Sequence, residues 1–155
     1  MIQSILNRLF QHVDIASGGD LYLRRWRVLR LGRLRVNLHY IARSDADQEL
    51  HDHPWNYLSI ILWGGYREET FIERPHWSDR SLPPTRFEWC GMGRILRRHA
   101  WQAHRLELDR PAWTLVFLGR NRRQWGFWTR DRWWVYWRDF LNVPEGAPSA
   151  DFGDP

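Results

Sequence analysis

The chain has 155 residues, 43% hydrophobic and 26% charged, with a formal net charge of +5, and a chain of this size builds one core that needs no metal or disulfide to hold it together. That composition excludes a disordered or coiled-coil protein, and the longest charge-free apolar run, residues 57–66, is about half of the ~20 residues a membrane helix needs. All 23 basic residues are arginine, a bias spread over the whole sequence, and with no recognition motif beside it dedicated nucleic-acid binding is not expected.

In chain order, Ile2, Ile5, Leu6, Leu9, Phe10 and Val13 recur at helical spacing and predict an amphipathic helix over residues 2–14. Its apolar stripe is expected to pack on the domain rather than lie on a membrane surface. From Leu21 the pattern changes to strand-like runs at 21–31, 34–43, 57–63, 94–98, 104–108 and 113–118, punctuated by glycine and proline. This is an all-β pattern. In the second run Leu34, Val36, Leu38 and Tyr40 share one face, predicted to be buried, while Arg33, Arg35, Asn37 and His39 share the outer one. Residues 66–93 hold no sustained period and read as excursions packed down by Phe71, Trp77, Phe87 and Trp89. The segment 132–141, RWWVYWRDFL, reads equally as a strand or a short helix. Residues 144–155 read as a flexible tail, leaving 1–143 as a single domain. A lone cysteine, Cys90, and an N-terminus without basic leader or cleavage site predict a cytoplasmic protein.

The chemistry concentrates in LHDHPWNYLSIILWGGY, residues 50–66. His51 and His53 are two apart, so in an extended strand both imidazoles face one point, as metal ligands do. A second element, GRILRRHAWQAHRLEL, carries His99 and His104 ahead of a strand-like run. If His104 lies across from His51 and His53, three neutral nitrogens face one metal, a set suited to iron, nickel, zinc, cobalt or copper. A hydrogen-bonded surface cluster around Asp52 is the blander alternative.

These two segments resemble the two motifs of the cupin superfamily: HDHPWNYLSIILWGG, 51–65, the first, and GRILRRHAWQAHRL, 93–106, the second. The resemblance implies a double-stranded β-helix, or jelly-roll barrel, here with a short N-terminal helix. It places His51, His53 and His104 at the family's three histidine positions. Tyr57 stands where the family usually has a glutamate ligand, and Ala100 and Ala103 replace commoner turn residues of the second motif. The departure at Tyr57 resembles the three-histidine iron sites of dioxygenases in the same superfamily. That likeness implies a metal-dependent enzyme, a non-haem iron(II) dioxygenase acting on a small anionic or chelating molecule. A zinc- or other metal-dependent isomerase or hydrolase, and a cupin that binds a small ligand without turnover, are the alternatives; manganese also stays open as the metal, and a homodimer as the assembly.

Around the centre, Tyr57 is expected to touch a bound ligand through its hydroxyl. Arg98 is a candidate carboxylate clamp, and Trp55 and Trp101 are pocket candidates because each lies within three residues of a proposed ligand. His99 is expected outside ligating reach, and His39 to point away from the interior. Arg67, Glu68 and Glu69 read as an exposed rim at a strand edge, with a displaced carboxylate ligand as the other option for either glutamate.

Overall fold

The computed structural model describes residues 2–17, 19–76 and 81–144. A helix α1 (Ile2–Leu9) leads into strands β1 (His12–Ser17), β2 (Asp20–Leu31), β3 (Leu34–Ile41), β4 (Leu50–His51), β5 (Tyr57–Trp63), β6 (Gly65–Phe71), β7 (Thr85–Gly91), β8 (Ile95–Arg98), β9 (His104–Glu107), β10 (Ala112–Leu118), β11 (Gly126–Thr129) and β12 (Trp133–Tyr136), followed by the single turn α2 (Trp137–Phe140). They form two six-stranded sheets, β1-β2-β3-β10-β5-β8 and β12-β11-β4-β9-β6-β7. Every pairing among the described residues is antiparallel. The expected all-β double sheet with a short N-terminal helix is what the structure contains. Among the described residues no helix is long and apolar enough to cross a membrane.

Core and cavity share the space between the sheets. Ile15, Leu23, Ile41 and Ile61 from the first sheet meet Tyr66, Cys90 and Leu106 from the second. The chain passes between sheets at Gly64–Gly65, where Gly64 has φ +74° and a Cβ would lie 2.6 Å from the Pro111 carbonyl oxygen. Only glycine combines that dihedral with so close an approach.

The structure departs from several expectations. The helix ends at Leu9 and residues 12–17 are a strand, because His12–Ser17 pairs along β2. Its stripe also faces outward in large part: Ile2, Ile5 and Leu9 are exposed, while the polar edge meets the sheet, Asn7 accepting from Trp26 Nε1 at 2.8 Å and Gln3 from Arg24. In β3 the faces sort only in part as expected: Val36 is buried, but Leu34 is exposed, and His39 and Ile41 line the interior cavity. Leu38 shares its register with the fully buried Trp26, whose ring stacks 5.4 Å from Trp113 on the outer side. Aromatic residues thus cover the outer face, and alternation alone cannot tell that cover from a core.

Residues 66–93 are not excursions throughout: β6 and β7 lie in this span and pair with each other. Finally, 132–141 is both alternatives in turn, β12 and then α2. Trp77 and residues 145–155 of the expected tail lie outside the described residues.

Asp52 anchors the far end of the second sheet. Fully buried, it accepts hydrogen bonds from Arg123 (2.7 Å), the Gly126 amide (2.9 Å), Trp134 Nε1 (3.0 Å) and Trp128 Nε1 (3.2 Å). The blander surface cluster is thereby excluded for Asp52. Asp52→Ala removes an acceptor that four donors share, and is expected to destabilise the fold by about 2–4 kcal/mol in urea unfolding followed by circular dichroism.

Candidate metal centre

β4 is only two residues long, yet it decides the site. It lies between β9 and β11, with His51 directly opposite both His104 and Phe127. Residue 52 points to the opposite side, where its carboxylate is bound as described, so His51 and His53 both turn inward. The backbone of the following residues is tied as well: His53 N donates to the Ala100 carbonyl at 3.1 Å, Arg122 N to that of Pro54 at 2.7 Å, and Ala100 N to Asn56 Oδ1 at 2.8 Å. Two loops are thus stitched together around the histidines.

The result is a compact imidazole triangle. Ring centroids lie 5.2 Å apart for His51 and His53, 5.0 Å for His51 and His104, and 5.0 Å for His53 and His104. One ligand atom from each lies within 4.8 Å of the others, and Nε2 of His53 is 2.8 Å from Nε2 of His104. Two metal–nitrogen bonds of ~2.0–2.1 Å meeting near a right angle span roughly that distance. Burial lowers the pKa of His51 to about 4 despite the nearby Asp45, and holds His53 well below the usual range, with His104 and His51 adding to the effect. Three imidazoles with converging nitrogens fit a divalent metal.

Glu68 does not belong to an exposed rim: it is 1% exposed, because β6 is an interior strand between β9 and β7. Its Oε1 lies 2.7 Å from His104 Nδ1. It is therefore no ligand in this geometry, but it holds the far nitrogen of one, a pairing that sets which imidazole nitrogen carries the proton. Arg98 Nε donates to Glu68 at 3.2 Å, with a second ion-pair contact from its terminal nitrogen to the other carboxylate oxygen. Burial alone would raise the Glu68 pKa, but His104 and Arg98 outweigh it and bring it to about 2. Arg98, expected as a clamp for a ligand carboxylate, is engaged here by a carboxylate of the chain itself, that of Glu68. Glu69 faces the other way, bound by Thr85 and Arg105.

The remaining candidates separate. The Tyr57 hydroxyl is 3.5 Å from His104 Nε2, and burial holds its pKa well above the ordinary value, so it stays protonated. Trp55 lines the same cavity of about 220 Å³ as the three histidines, with Val116, Leu118 and Phe127 among its apolar walls. Trp101 does not: it lines a separate, polar cleft with His99, Arg74 and Arg122, its ring stacked on His99. His99 is thus remote from the triangle. His39 and Arg25 also line the central cavity. Sequence reasoning misses both as site residues, since arginine in a strand of alternating charge is ordinarily solvent-facing; their direct pairing across β2 and β3 is the signal that places them.

No family model matches the sequence, and a search of curated proteins gives no match. Solved structures do match. A cupin 2 conserved barrel domain protein from Rhodopseudomonas palustris is 8% identical over 79% of each chain, with a TM-score of 0.58. A cupin-2 domain protein from Rhodospirillum rubrum is 10% identical over 77% of this chain and 76% of that one, with a TM-score of 0.57. The iron(II) form of HppE is 9% identical over 70% of this chain, with a TM-score of 0.54. Here the chain spans little more than half, 56%, of the HppE chain.

This geometry has two measurable consequences. Glu68→Gln, which keeps the volume but removes the charge behind His104, is expected to weaken metal binding about 10–100-fold in chelator competition. In the metal-free protein His51 has a folded pKa of about 4 against ~6.5 unfolded, so the unfolded chain binds more protons between these values. Stability is then complete above about pH 6.5 and falls as the pH drops towards 4, read from urea midpoints across that range.

Proposed function

We propose that this chain, which has the cupin fold, is a metal-dependent enzyme: a non-haem iron(II) oxygenase acting on a small anionic or chelating molecule. The observation that carries the proposal is the convergence of His51, His53 and His104 on one point of an apolar cavity of about 220 Å³ with no carboxylate in the triad. Iron(II) held there would supply Lewis acidity and electrons for dioxygen chemistry. Everything else falls to the protein.

Glu68, fixed by Arg98, keeps the Nδ1 proton of His104 in place, so that Nε2 presents its lone pair to the cavity. Tyr57 stays a neutral phenol beside His53 and His104 and can donate its proton in a hydrogen bond to an oxygen of the bound substrate. Trp55, Val116 and Leu118 exclude water from one side, which strengthens the polar contacts that remain. A cavity of this volume suits a small molecule. The single cysteine, Cys90, is buried and unpaired, which supports a reducing compartment such as the cytoplasm.

The same three-imidazole donor set serves zinc, whose role would be Lewis-acid isomerisation or hydrolysis. Elemental analysis of anaerobically purified protein, followed by oxygen-electrode screening with thiols, diketones and small acids, separates the two. Stoichiometric iron with substrate-dependent oxygen uptake is the expected result; zinc as the only metal that restores turnover would replace the oxygenase with the Lewis-acid enzyme. Tyr57→Phe is expected to lower kcat by about tenfold, the equivalent of one hydrogen bond in the transition state, with the urea midpoint unchanged.

A further inference from the structure

A second cleft, of about 500 Å³, opens on the Asp52 side of the segment that carries the histidine pair. Three connections meet there. The chain leaving β6 brings Arg74, the turn between β8 and β9 brings His99 and Trp101, and the loop between β10 and β11 brings Arg122 and Arg123. Two backbone bonds that tie down the histidine segment also fix the walls of this cleft: the Ala100 carbonyl accepts from His53 N at 3.1 Å, and Arg122 N donates to the Pro54 carbonyl at 2.7 Å.

The charge of this cleft is one-sided. Elsewhere arginine is commonly paired with a carboxylate: Arg24 with Asp14, Arg67 with Glu107, Arg94 with Glu88 and Arg105 with Glu69. Among the described residues no carboxylate lines the cleft, and neither Arg74 nor Arg122 has an acidic partner. Arg123 is paired with Asp52 at 2.7 Å, but that carboxylate is fully buried and shared with three other donors. Arg74 is held by a ring rather than by a charge, its guanidinium carbon 4.9 Å from the centroid of Trp101, which also stacks on His99. A concave site lined by one sign of charge concentrates ions of the other.

We infer that this cleft binds a small phosphate monoester, at a site separate from the three histidines. Two guanidinium groups without a counter-charge match a dianion. A phosphate monoester carries about −1.5 to −2 charges at pH 7 and presents three acceptor oxygens, enough for one fork from Arg74 and another from Arg122. A carboxylate has a single charge and two oxygens, which one such fork already occupies. The volume is that of a small-ligand site and exceeds a phosphoryl group alone, so the esterified part lies against Trp101 and Pro75. The site uses none of the three histidines, and its occupation is independent of the metal.

The test is calorimetric titration of the full chain with phenyl phosphate and with benzoate at one fixed ionic strength. The monoester is expected to bind about tenfold or more tightly than benzoate, with the same affinity before and after a chelator strips the metal. Arg74→Gln and Arg122→Gln should each weaken phenyl phosphate about tenfold, the loss of one charge-assisted contact. Arg33→Gln, the same change of charge at the exposed turn between β2 and β3, should leave the affinity within about twofold. Circular dichroism checks the fold of each variant, and if one of the two cleft variants fails to fold the other decides. No heat with phenyl phosphate, equal affinity for benzoate, or full affinity in either folded cleft variant overturns the site. An equal loss in Arg33→Gln overturns it too, because the ester then responds to net charge alone. Affinity lost on chelation assigns the ester to the metal and rejects the cleft, and tighter binding of a single-stranded oligonucleotide replaces the small ester with nucleic acid.

Discussion

The alternation of a single extended tripeptide governs the site, because His51 and His53 can face the cavity only while Asp52 faces away from it. A carboxylate with no exposed surface would be costly there on its own. Arg123, the Gly126 amide and the indoles of Trp128 and Trp134 take up that cost. The same bonds attach β11 and β12 to the segment that carries the histidines. Orientation of the two imidazoles and closure of one end of the second sheet are thus one arrangement.

A second buried carboxylate joins the two sheets. Glu68 on β6 reaches His104 on β9 of its own sheet and Arg98 on β8 of the other. Removing one partner of a buried pair leaves the other charge uncompensated, so His104, Glu68 and Arg98 act as a unit. Cys90 packs behind this unit, its thiol 3.9 Å from the Glu68 carboxylate, and burial pushes that thiol up to about 11. The thiol is a protonated packing group there.

How much of the site is legible in the sequence depends on the range of the interactions. The two-residue spacing of His51 and His53 is local, and parity alone puts both on one face. His104 comes within reach through the resemblance of its motif, and its register opposite His51 agrees. For Glu68 the sequence offers an exposed rim or an approach to the metal and cannot choose, because its burial depends on β6 lying between β9 and β7, an order no short window contains. Alternation assigns His39 to the wrong face for a related reason: Trp26 and Trp113 supply an apolar cover on the outer side, and an apolar face can meet such a cover as well as a core. The helical period runs past Leu9 into β1 because Phe10 and Val13 fit both patterns, and pairing with β2 settles the strand.

The bonds that orient the histidine pair also set when in the life of the chain it becomes organised. Every donor to Asp52 lies 71 to 82 residues downstream of it, and contacts so distant in sequence form late, after the loop entropy between them has been overcome. During synthesis His51 and His53 emerge well before Arg123 and Trp134, and for that interval nothing holds residue 52 to its side. The geometry of the centre is thereby tied to completion of the second sheet.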